Sequence, residues 1–269
     1  MKTLIILGLL SLPTFAMGLD FPAKTVFREP NTQATPFSLS HDPVAIEQER
    51  FGPGWRFIEA KVAASHRYVV FNHGTGFRNE PYPTRVQPGR GNDLNKIAKW
   101  YAAQGINFYA PLSKNVKYRG EFEKGDYRDI EAIESAYHTA NYILANDPNA
   151  VICFVGHSEG AVVPLNTSTV LTEPSRFRHV SSSPRHGYDT GSEWSKQHFK
   201  KSGFRTARNL IITMGSKEKT DKTLTEYETL PQQNPSIQFE VHEGFDHKTI
   251  SKSSTVDRWG PIMIKACGF

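Results

Sequence analysis

The sequence predicts an α/β fold, with a mostly parallel central sheet and helices on both of its faces. Two observations support this prediction. Short apolar segments rich in β-branched and aromatic residues alternate with segments of helical periodicity along most of the 269-residue chain, as in proteins built from strand–helix–strand units. Several of the apolar segments lack a polar face, which is typical of strands buried on both sides of a parallel sheet.

The first half of the chain opens with a segment of low apolar content. Residues 20–55 are rich in Pro, Thr, Ser and Gln, which favours irregular structure with one short strand. Apolar residues at helical spacing, followed by Gly105, then predict a helix that ends at residue 104. The next helix is the longest, and its apolar stripe would face the core. Strands are predicted at 25–28, 56–62, 67–72 and 106–110, and helices at 93–104 and 127–146.

The second half continues the alternation of strands and helices. Asp147-Pro148-Asn149 ends the long helix, and a fully apolar run follows it. Gly260-Pro261 lies inside the last predicted helix and is expected to interrupt it. Strands are predicted at 151–155, 177–182, 209–214 and 237–241, and helices at 159–170, 193–201 and 255–266.

The N-terminal segment has the pattern of a secretory signal peptide. Lys2 precedes an apolar stretch at residues 4–12, and small residues suited to cleavage follow at Ala16 and Gly18. The apolar stretch is far shorter than the ~20 residues that span a bilayer, so a stable membrane anchor is not favoured. We therefore expect a secreted or periplasmic protein in which residues 1–18 are removed and 19–269 form a single domain.

The charge pattern does not favour nucleic acid as a partner. The formal net charge is +5, but the basic residues are scattered among acidic ones. The densest basic group, residues 196–208, lacks interleaved aromatic residues and any nucleic-acid-binding motif, so we interpret it as a solvated helix face. No Cys/His spacing predicts a metal site, and no motif predicts a cofactor.

Cys153 and Cys267 are the two cysteines of the chain. An exported protein can oxidise such a pair to a disulfide. Cys153, however, lies within a predicted central strand, where a free cysteine packs like a small apolar residue. The sequence therefore favours a free Cys153 and leaves the bridge open, because bridge geometry depends on the fold.

The segment Gly156-His157-Ser158-Glu159-Gly160 lies between a predicted strand and a predicted helix. This is the context of a nucleophile elbow, in which the central serine sits on a sharp strand-to-helix turn. The flanking glycines would let the two backbones approach closely and relieve the strained turn. We therefore interpret Ser158 as a nucleophile that stands exposed at the tip of the turn.

A serine nucleophile needs a general base, which an acid orients. In this strand–helix order, both should follow the serine, in loops after later strands. His247 lies a few residues beyond the last predicted strand, after the turn-forming Gly244, and is the best candidate for the base. His242 is its nearest rival, but it continues the strand and is better interpreted as a sheet or rim residue.

The candidate acid follows the strand at 209–214. Glu218 lies closest to the end of this strand, and a buried carboxylate there would accept a hydrogen bond from the imidazole. Asp221 is an alternative acid three residues later. A further alternative is that Glu218 pairs with Lys217 or Lys219 in a solvated loop.

Two segments are candidates for the oxyanion hole. The backbone N–H of Glu159 follows the nucleophile at a helix start, where amide groups have no intrahelical partner. The second donor would come from His73-Gly74-Thr75-Gly76, which follows an early strand. Thr75 and Gly76 are the candidates for this donor, because glycines let the backbone approach a substrate closely.

The order of HGTG, GHSEG, GSKE and FDH along the chain resembles that of the α/β-hydrolase superfamily over residues 55–266. Within it, the chain is most similar to exported dienelactone-hydrolase-like and prolyl-oligopeptidase-like serine hydrolases. The resemblance implies the α/β-hydrolase fold, with Ser158 as nucleophile, His247 as base and Glu218 as acid. The main insertion available as a lid, residues 184–208, is short, so we expect at most a small lid.

Three departures limit what the resemblance implies. Dienelactone hydrolases proper have a cysteine where this chain has Ser158, so their substrate class does not carry over. Prolyl-oligopeptidase-like peptidases usually have a large propeller domain, for which this chain has no room. Most members of the superfamily use aspartate as the acid, which keeps Asp221 open beside Glu218.

The sequence thus predicts an exported serine hydrolase that acts on a small-molecule carboxylic ester. A small peptidase or amidase with the same three residues is the alternative among enzymes, since both reactions share an acyl-enzyme route. A binding protein that kept the fold without catalysis is the alternative from a different class. Arg78, Tyr82 and Arg85 follow HGTG and could line a substrate pocket, although such loop residues are more often solvated.

Overall fold

The computed structural model describes residues 44–47, 56–72, 94–111, 126–184, 206–218 and 227–269. Its strands are β1 (Val44–Glu47), β2 (Arg56–Ala60), β3 (Arg67–Asn72), β4 (Asn107–Pro111), β5 (Val151–His157), β6 (Phe177–Ser182), β7 (Leu210–Gly215) and β8 (Ile237–His242). Its α-helices are α1 (Leu94–Ala103), α2 (Asp126–Asn146), α3 (Val162–Val170), α4 (Leu230–Gln233) and α5 (Val256–Ala266). Three 3₁₀ turns lie at Ser158–Ala161, Ser216–Glu218 and Ser253–Thr255.

All eight described strands belong to one sheet, in the order β1-β2-β4-β3-β5-β6-β7-β8. The six strands from β4 to β8 along this order are parallel to one another, and β2 is antiparallel to both of its neighbours. The prediction of a mostly parallel sheet is therefore confirmed. Because β5 lies near the middle of the sheet, its carboxyl end is flanked by neighbouring strands.

Helices cover both faces of the sheet, as predicted. One apolar cluster joins α2 and α3 to one face through residues such as Ile133, Tyr137 and Phe154. The other joins α1 and α5 to the opposite face through Tyr101 and Trp259, among others. The strands of the middle are buried on both sides, which explains why their sequences lack a polar face. None of the described helices combines the length and the apolar character that crossing a bilayer requires.

Three local predictions differ from the structure. The strand β1 was not expected, because it is stabilised by hydrogen bonds to β2, which lies in another part of the chain. The helix predicted at 159–170 begins with a 3₁₀ turn and becomes α-helical at Val162. Gly260-Pro261 does not interrupt α5. A side chain at Gly260 would meet the Trp100 ring, so the glycine allows α5 to pack closely on α1. The strand predicted at 25–28 and the helix predicted at 193–201 lie outside the described residues.

Cys153 and Cys267 form a disulfide, so the prediction of a free Cys153 is wrong. Both cysteines are buried. The bridge forms because α5 packs on the face of the sheet to which Cys153 points, which brings the two Cα atoms within 5.7 Å. The disulfide fastens the segment after α5 to β5, the strand that precedes Ser158.

Removal of the disulfide is expected to lower the free energy of unfolding considerably. The bridge closes a loop with a sequence separation of 114 residues, for which the chain-entropy model gives about 4 to 5 kcal/mol. Urea denaturation of the Cys153→Ala/Cys267→Ala double variant measures this loss. Reductant should shift the wild-type midpoint towards that of the variant and leave the variant unchanged. A double variant within about 1 kcal/mol of wild type would contradict this expectation.

His179 is a buried polar residue that affects the stability of the fold. Its side chain is fully buried on β6 and stacks on Phe154, with ring centroids 5.5 Å apart. Its Nε2–H donates to the Leu171 carbonyl at 2.9 Å, and the Thr167 hydroxyl lies 2.9 Å from Nδ1. Burial lowers the pKa of His179 from 6.5 to about 4, because a charged imidazole would lose its hydration. The native protein therefore holds this histidine neutral.

The neutral His179 is expected to make the fold less stable as the pH falls from 6.5 towards 4. In this range the unfolded chain binds a proton that the native state does not, so stability rises with pH. Between pH 7.5 and pH 5 the loss from this group is about 2 kcal/mol. Chemical denaturation at both pH values should show a smaller loss for His179→Gln than for the wild-type protein. Equal pH dependence in His179→Gln and wild type would contradict the assignment.

Candidate active site

Ser158 lies at a sharp turn between β5 and the 3₁₀ turn that leads into α3. Its backbone has φ of +58°, a left-handed conformation that is costly for a residue with a side chain. The turn is tight because Gly156 faces Gly160 directly: a Cβ on Gly156 would lie 2.1 Å from the Gly160 carbonyl oxygen. The GHSEG segment therefore has the geometry of a nucleophile elbow.

The exposure of Ser158 differs from the expectation. The residue is 6% exposed and not an exposed tip. The reason is that the imidazole of His247 lies against its hydroxyl, with Nε2 2.9 Å from Oγ. The nucleophile candidate is thus enclosed on the side of its hydrogen-bond partner.

His247 lies in the loop after β8 and contacts both other members of the predicted triad. Its Nδ1 lies 3.1 Å from Oε2 of Glu218, and its Nε2 faces Ser158. The ring also packs against His157, with centroids 5.0 Å apart and a tilt of 41°. The imidazole is thus placed between an acid and a hydroxyl, with a second ring on one side.

Glu218 ends the 3₁₀ turn that follows β7, and its side chain is 8% exposed. Oε2 faces His247, whereas Oε1 accepts hydrogen bonds from the Ser183 hydroxyl at 2.7 Å and from the Gly215 backbone N–H at 2.9 Å. Three donors therefore hold this carboxylate in one orientation. This arrangement does not match the alternative in which Glu218 pairs with a neighbouring lysine in a solvated loop.

The turn that carries Glu218 and the loop that carries His247 are joined by their backbones. The Lys217 N–H donates to the Phe245 carbonyl at 3.0 Å, and the Gly244 N–H donates to the Ser216 hydroxyl at 3.0 Å. Gly215 permits this approach, because a Cβ there would lie 2.2 Å from the Phe245 carbonyl oxygen. These contacts fix the distance between acid and imidazole independently of the bond between them.

The hydrogen-bond pattern sets the proton positions in the resting state. A carboxylate only accepts, so His247 carries its proton on Nδ1 and donates it to Glu218. Nε2 is then free to accept, and the Ser158 hydroxyl donates to it. A base in this tautomer can take the serine proton and become an imidazolium beside a negative carboxylate.

The oxyanion-hole prediction falls only partly within the described residues. Glu159 is the second residue of the 3₁₀ turn Ser158–Ala161, so its backbone N–H lies in a first turn without an intrahelical partner. Thr75 and Gly76 lie outside the described residues. The same holds for Asp221, for Arg78, Tyr82 and Arg85, and for nearly all of the predicted lid segment, residues 184–208.

Among the described hydrogen bonds and ion pairs, His242 makes none to Ser158, His247 or Glu218. His242 is the last residue of β8, is half-buried, and pairs with Glu240 at 3.4 Å.

Sequence reasoning missed two residues that hold the candidate acid and its turn, namely Ser183 and Ser216. Ser183 follows directly on β6, and the run of three serines that it ends was the only signal for it. Within the described ranges, no cluster of three or more His, Cys, Asp and Glu side chains could hold a metal ion.

Solved structures with the same fold include several hydrolases. A Pyrococcus furiosus esterase superimposes with a TM-score of 0.54 at 16% identity, covering 90% of this chain and 97% of its own. A lidless α/β serine hydrolase from Xanthomonas campestris gives a TM-score of 0.54 at 15% identity, covering 85% and 95%. A dienelactone hydrolase from Anabaena variabilis gives 0.51 at 13% identity, covering 80% and 89%. This chain therefore has the α/β-hydrolase fold.

Sequence comparisons give no closer relationship. No protein-family model matches the sequence, and no curated protein matches it. At identities of this size, structural likeness establishes the fold, and the function has to be argued from the site.

Proposed function

We propose that this chain, built on the α/β-hydrolase fold, is a serine hydrolase that cleaves carboxylic esters of modest size. The observation that carries the proposal is the continuous hydrogen-bonded array Ser158–His247–Glu218 at the carboxyl ends of β5, β7 and β8. In a doubly covered parallel sheet this edge is where ligands bind. The array supplies a nucleophile, a base and an orienting acid in hydrogen-bond contact.

In the proposed first step, Ser158 Oγ attacks the ester carbonyl carbon while His247 Nε2 removes the hydroxyl proton. The carbonyl oxygen becomes an oxyanion in a tetrahedral intermediate. Collapse of the intermediate breaks the bond to the alcohol oxygen, to which the His247 imidazolium gives its proton. The alcohol leaves, and an acyl ester on Ser158 remains.

In the second step, water takes the place of the alcohol. His247 removes a proton from the water as the oxygen attacks the acyl carbon, and then returns the proton to Ser158 Oγ as the acid leaves. Glu218 stays ionised throughout and stabilises the imidazolium in both steps. We assign the Glu159 N–H to the oxyanion, with Thr75 or Gly76 as the second donor; one such donor is worth about 10²- to 10³-fold in kcat.

The choice of an ester rests on two considerations. Two of the structures reported above are an esterase and a serine hydrolase. An ester also has a better leaving group than an amide, so it reacts more readily with a serine nucleophile. Amide hydrolysis by the same residues is the second outcome that an assay must separate, because both reactions share the acyl-enzyme route. A non-catalytic binding role is the third.

We further propose that the protein works outside the reducing cytosol, in a periplasm or the extracellular space. The signal-peptide pattern of residues 1–18 supports this location. The buried Cys153–Cys267 disulfide supports it independently, since such bridges persist in oxidising compartments.

Paired assays test the proposed reaction. Purified protein is given p-nitrophenyl esters of increasing acyl length and, in parallel, aminoacyl p-nitroanilides. We expect saturable hydrolysis of the short esters and much slower or no release from the anilides. Faster turnover of the anilides would replace the ester assignment by the amidase alternative. Release from neither series, together with saturable binding of an ester, would favour a binding protein.

A further inference from the structure

The turn that carries His247 is closed by reciprocal hydrogen bonds between Asp246 and Thr249. Oδ1 of Asp246 accepts the backbone N–H groups of Lys248 at 2.9 Å and of Thr249 at 2.8 Å. In return, the Thr249 hydroxyl oxygen accepts the backbone N–H of Asp246 at 2.9 Å and donates its proton to Oδ1, also at 2.9 Å. This hydrogen-bond pattern is like that of a capping box, in which side chains accept hydrogen bonds from unpaired backbone amides at the start of a turn.

The turn is anchored in the core on either side of His247. Phe245 and Ile250 are buried, and the Thr255 hydroxyl donates to the Thr249 carbonyl at 2.8 Å. Between these anchors the His247 side chain is 32% exposed and projects towards Ser158. The direction of the imidazole therefore depends on the shape of the turn formed by residues 246–250.

Asp246 acts on this turn and not on the imidazole directly. Within the described residues, its carboxylate hydrogen bonds go to the two amides and the Thr249 hydroxyl. The Thr249 backbone N–H is the main reason that the pKa of Asp246 lies below its usual value, and Lys252 adds to this effect. The Asp246 carboxylate is thus ionised at neutral pH.

We infer that Asp246 is a positioning residue for His247, acting through the Asp246–Thr249 capping box. The inference rests on the proposed function, in which His247 is the base. If the box opens, the Lys248 and Asp246 N–H groups lose their partners. The Thr249 N–H keeps only the Asp246 carbonyl, at 3.1 Å. The turn then relaxes, so that the imidazole moves relative to Ser158 and Glu218. A displacement of about 1 Å in such an array can cost about 10²-fold in rate.

Matched variants test whether the box, rather than the charge, is what matters. Asp246→Ala and Thr249→Val remove one half of the box each, and we expect a fall in kcat of about 10- to 100-fold with KM within about twofold. Asp246→Asn and Thr249→Ser keep an oxygen in each required place, so we expect kcat within about threefold of wild type. An Asp246→Asn variant as impaired as Asp246→Ala would overturn the inference, as would an Asp246→Ala variant within threefold of wild type.

Asp147→Ala serves as the control for general loss of stability. Asp147 also accepts a backbone N–H, that of Asn149 at 3.0 Å, and it binds the Tyr68 hydroxyl at 2.9 Å. It precedes β5 and therefore lies at the edge of the sheet opposite to Ser158. We expect Asp147→Ala to lower the Tm without changing kcat more than twofold. A similar fall in kcat in Asp147→Ala and Asp246→Ala would overturn a specific role for Asp246.

A spectroscopic measurement separates this inference from the proposed function. The Nδ1 proton that His247 shares with Glu218 is expected far downfield of the amide protons in the ¹H NMR spectrum, and it is assigned by its loss in His247→Gln. It should persist in Asp246→Asn and Asp147→Ala and be lost or shifted in Asp246→Ala. Wild-type protein that shows the resonance but hydrolyses nothing would refute the proposed function alone. An unchanged resonance in Asp246→Ala would refute the positioning role alone.

Discussion

Ser158→Ala is expected to lower kcat for ester hydrolysis by about 10⁵- to 10⁶-fold, close to the residual rate that oxyanion stabilisation and binding provide alone. The reason is that the variant has no oxygen within reach of His247 Nε2, so an acyl-enzyme cannot form. KM should change little, because the hydroxyl proton is used in the transition state and not in substrate binding. Steady-state assays at high enzyme concentration measure the effect.

Ser182→Ala is the matched control for this variant. Ser182 is also a buried serine at the carboxyl edge of the sheet, in register with His157 on the neighbouring strand. Its hydroxyl has no hydrogen-bond partner among the described residues, so its removal breaks no such bond there. We expect activity close to wild type, and a loss comparable to that of Ser158→Ala would mean that serine removal acts through packing.

His247→Gln is expected to lower kcat by a similar factor, about 10⁵- to 10⁶-fold. Glutamine cannot take the proton from Ser158 and cannot become a cation beside Glu218. Because the three residues act as a unit, the Ser158→Ala/His247→Gln double variant should be little worse than either single variant. Additive losses would show that the two residues act independently, which contradicts the proposed mechanism.

His242→Gln is the control for the loss of a histidine near this loop. His242 is five positions earlier, half-buried, and paired with Glu240 at the rim of the sheet. Burial lowers the pKa of His242, and the Glu240 carboxylate opposes this effect. We expect kcat within about threefold of wild type for His242→Gln. A large loss there, with His247→Gln active, would exchange the roles of the two residues.

The fold was largely predictable because its strands are buried on both faces. The predicted bounds of β3 and β6 match the observed ones, and those of β2, β4, β5, β7 and β8 differ from them by one or two residues. The edge strand β1 was not predictable, since its bonds to β2 come from another segment of the chain. The close packing of α5 on α1 depends on Gly260, which makes room for Trp100, and the local sequence does not reveal this contact.

The approach of Ser158, His247 and Glu218 followed from a single topological rule. Ser158 and His247 are 89 residues apart, but both follow parallel strands, and the carboxyl ends of such strands share one edge of a sheet. The supporting groups were not predictable. Ser183 and Asp246 act through the positions of individual hydrogen bonds, which depend on turn geometry and side-chain rotamers. The disulfide was missed for the same reason, since the approach of Cys267 to Cys153 depends on how α5 packs.

The central claim is that Ser158 is a nucleophile activated by His247, and covalent labelling tests it most directly. A fluorophosphonate probe reacts with an activated serine and stays attached, so intact-mass and peptide mass spectrometry locate the adduct without knowledge of the natural substrate. We predict one adduct per chain on the peptide that contains Ser158, very slow labelling of His247→Gln and none of Ser158→Ala. No adduct on the wild-type protein, or equal labelling of wild type and Ser158→Ala, would contradict the claim.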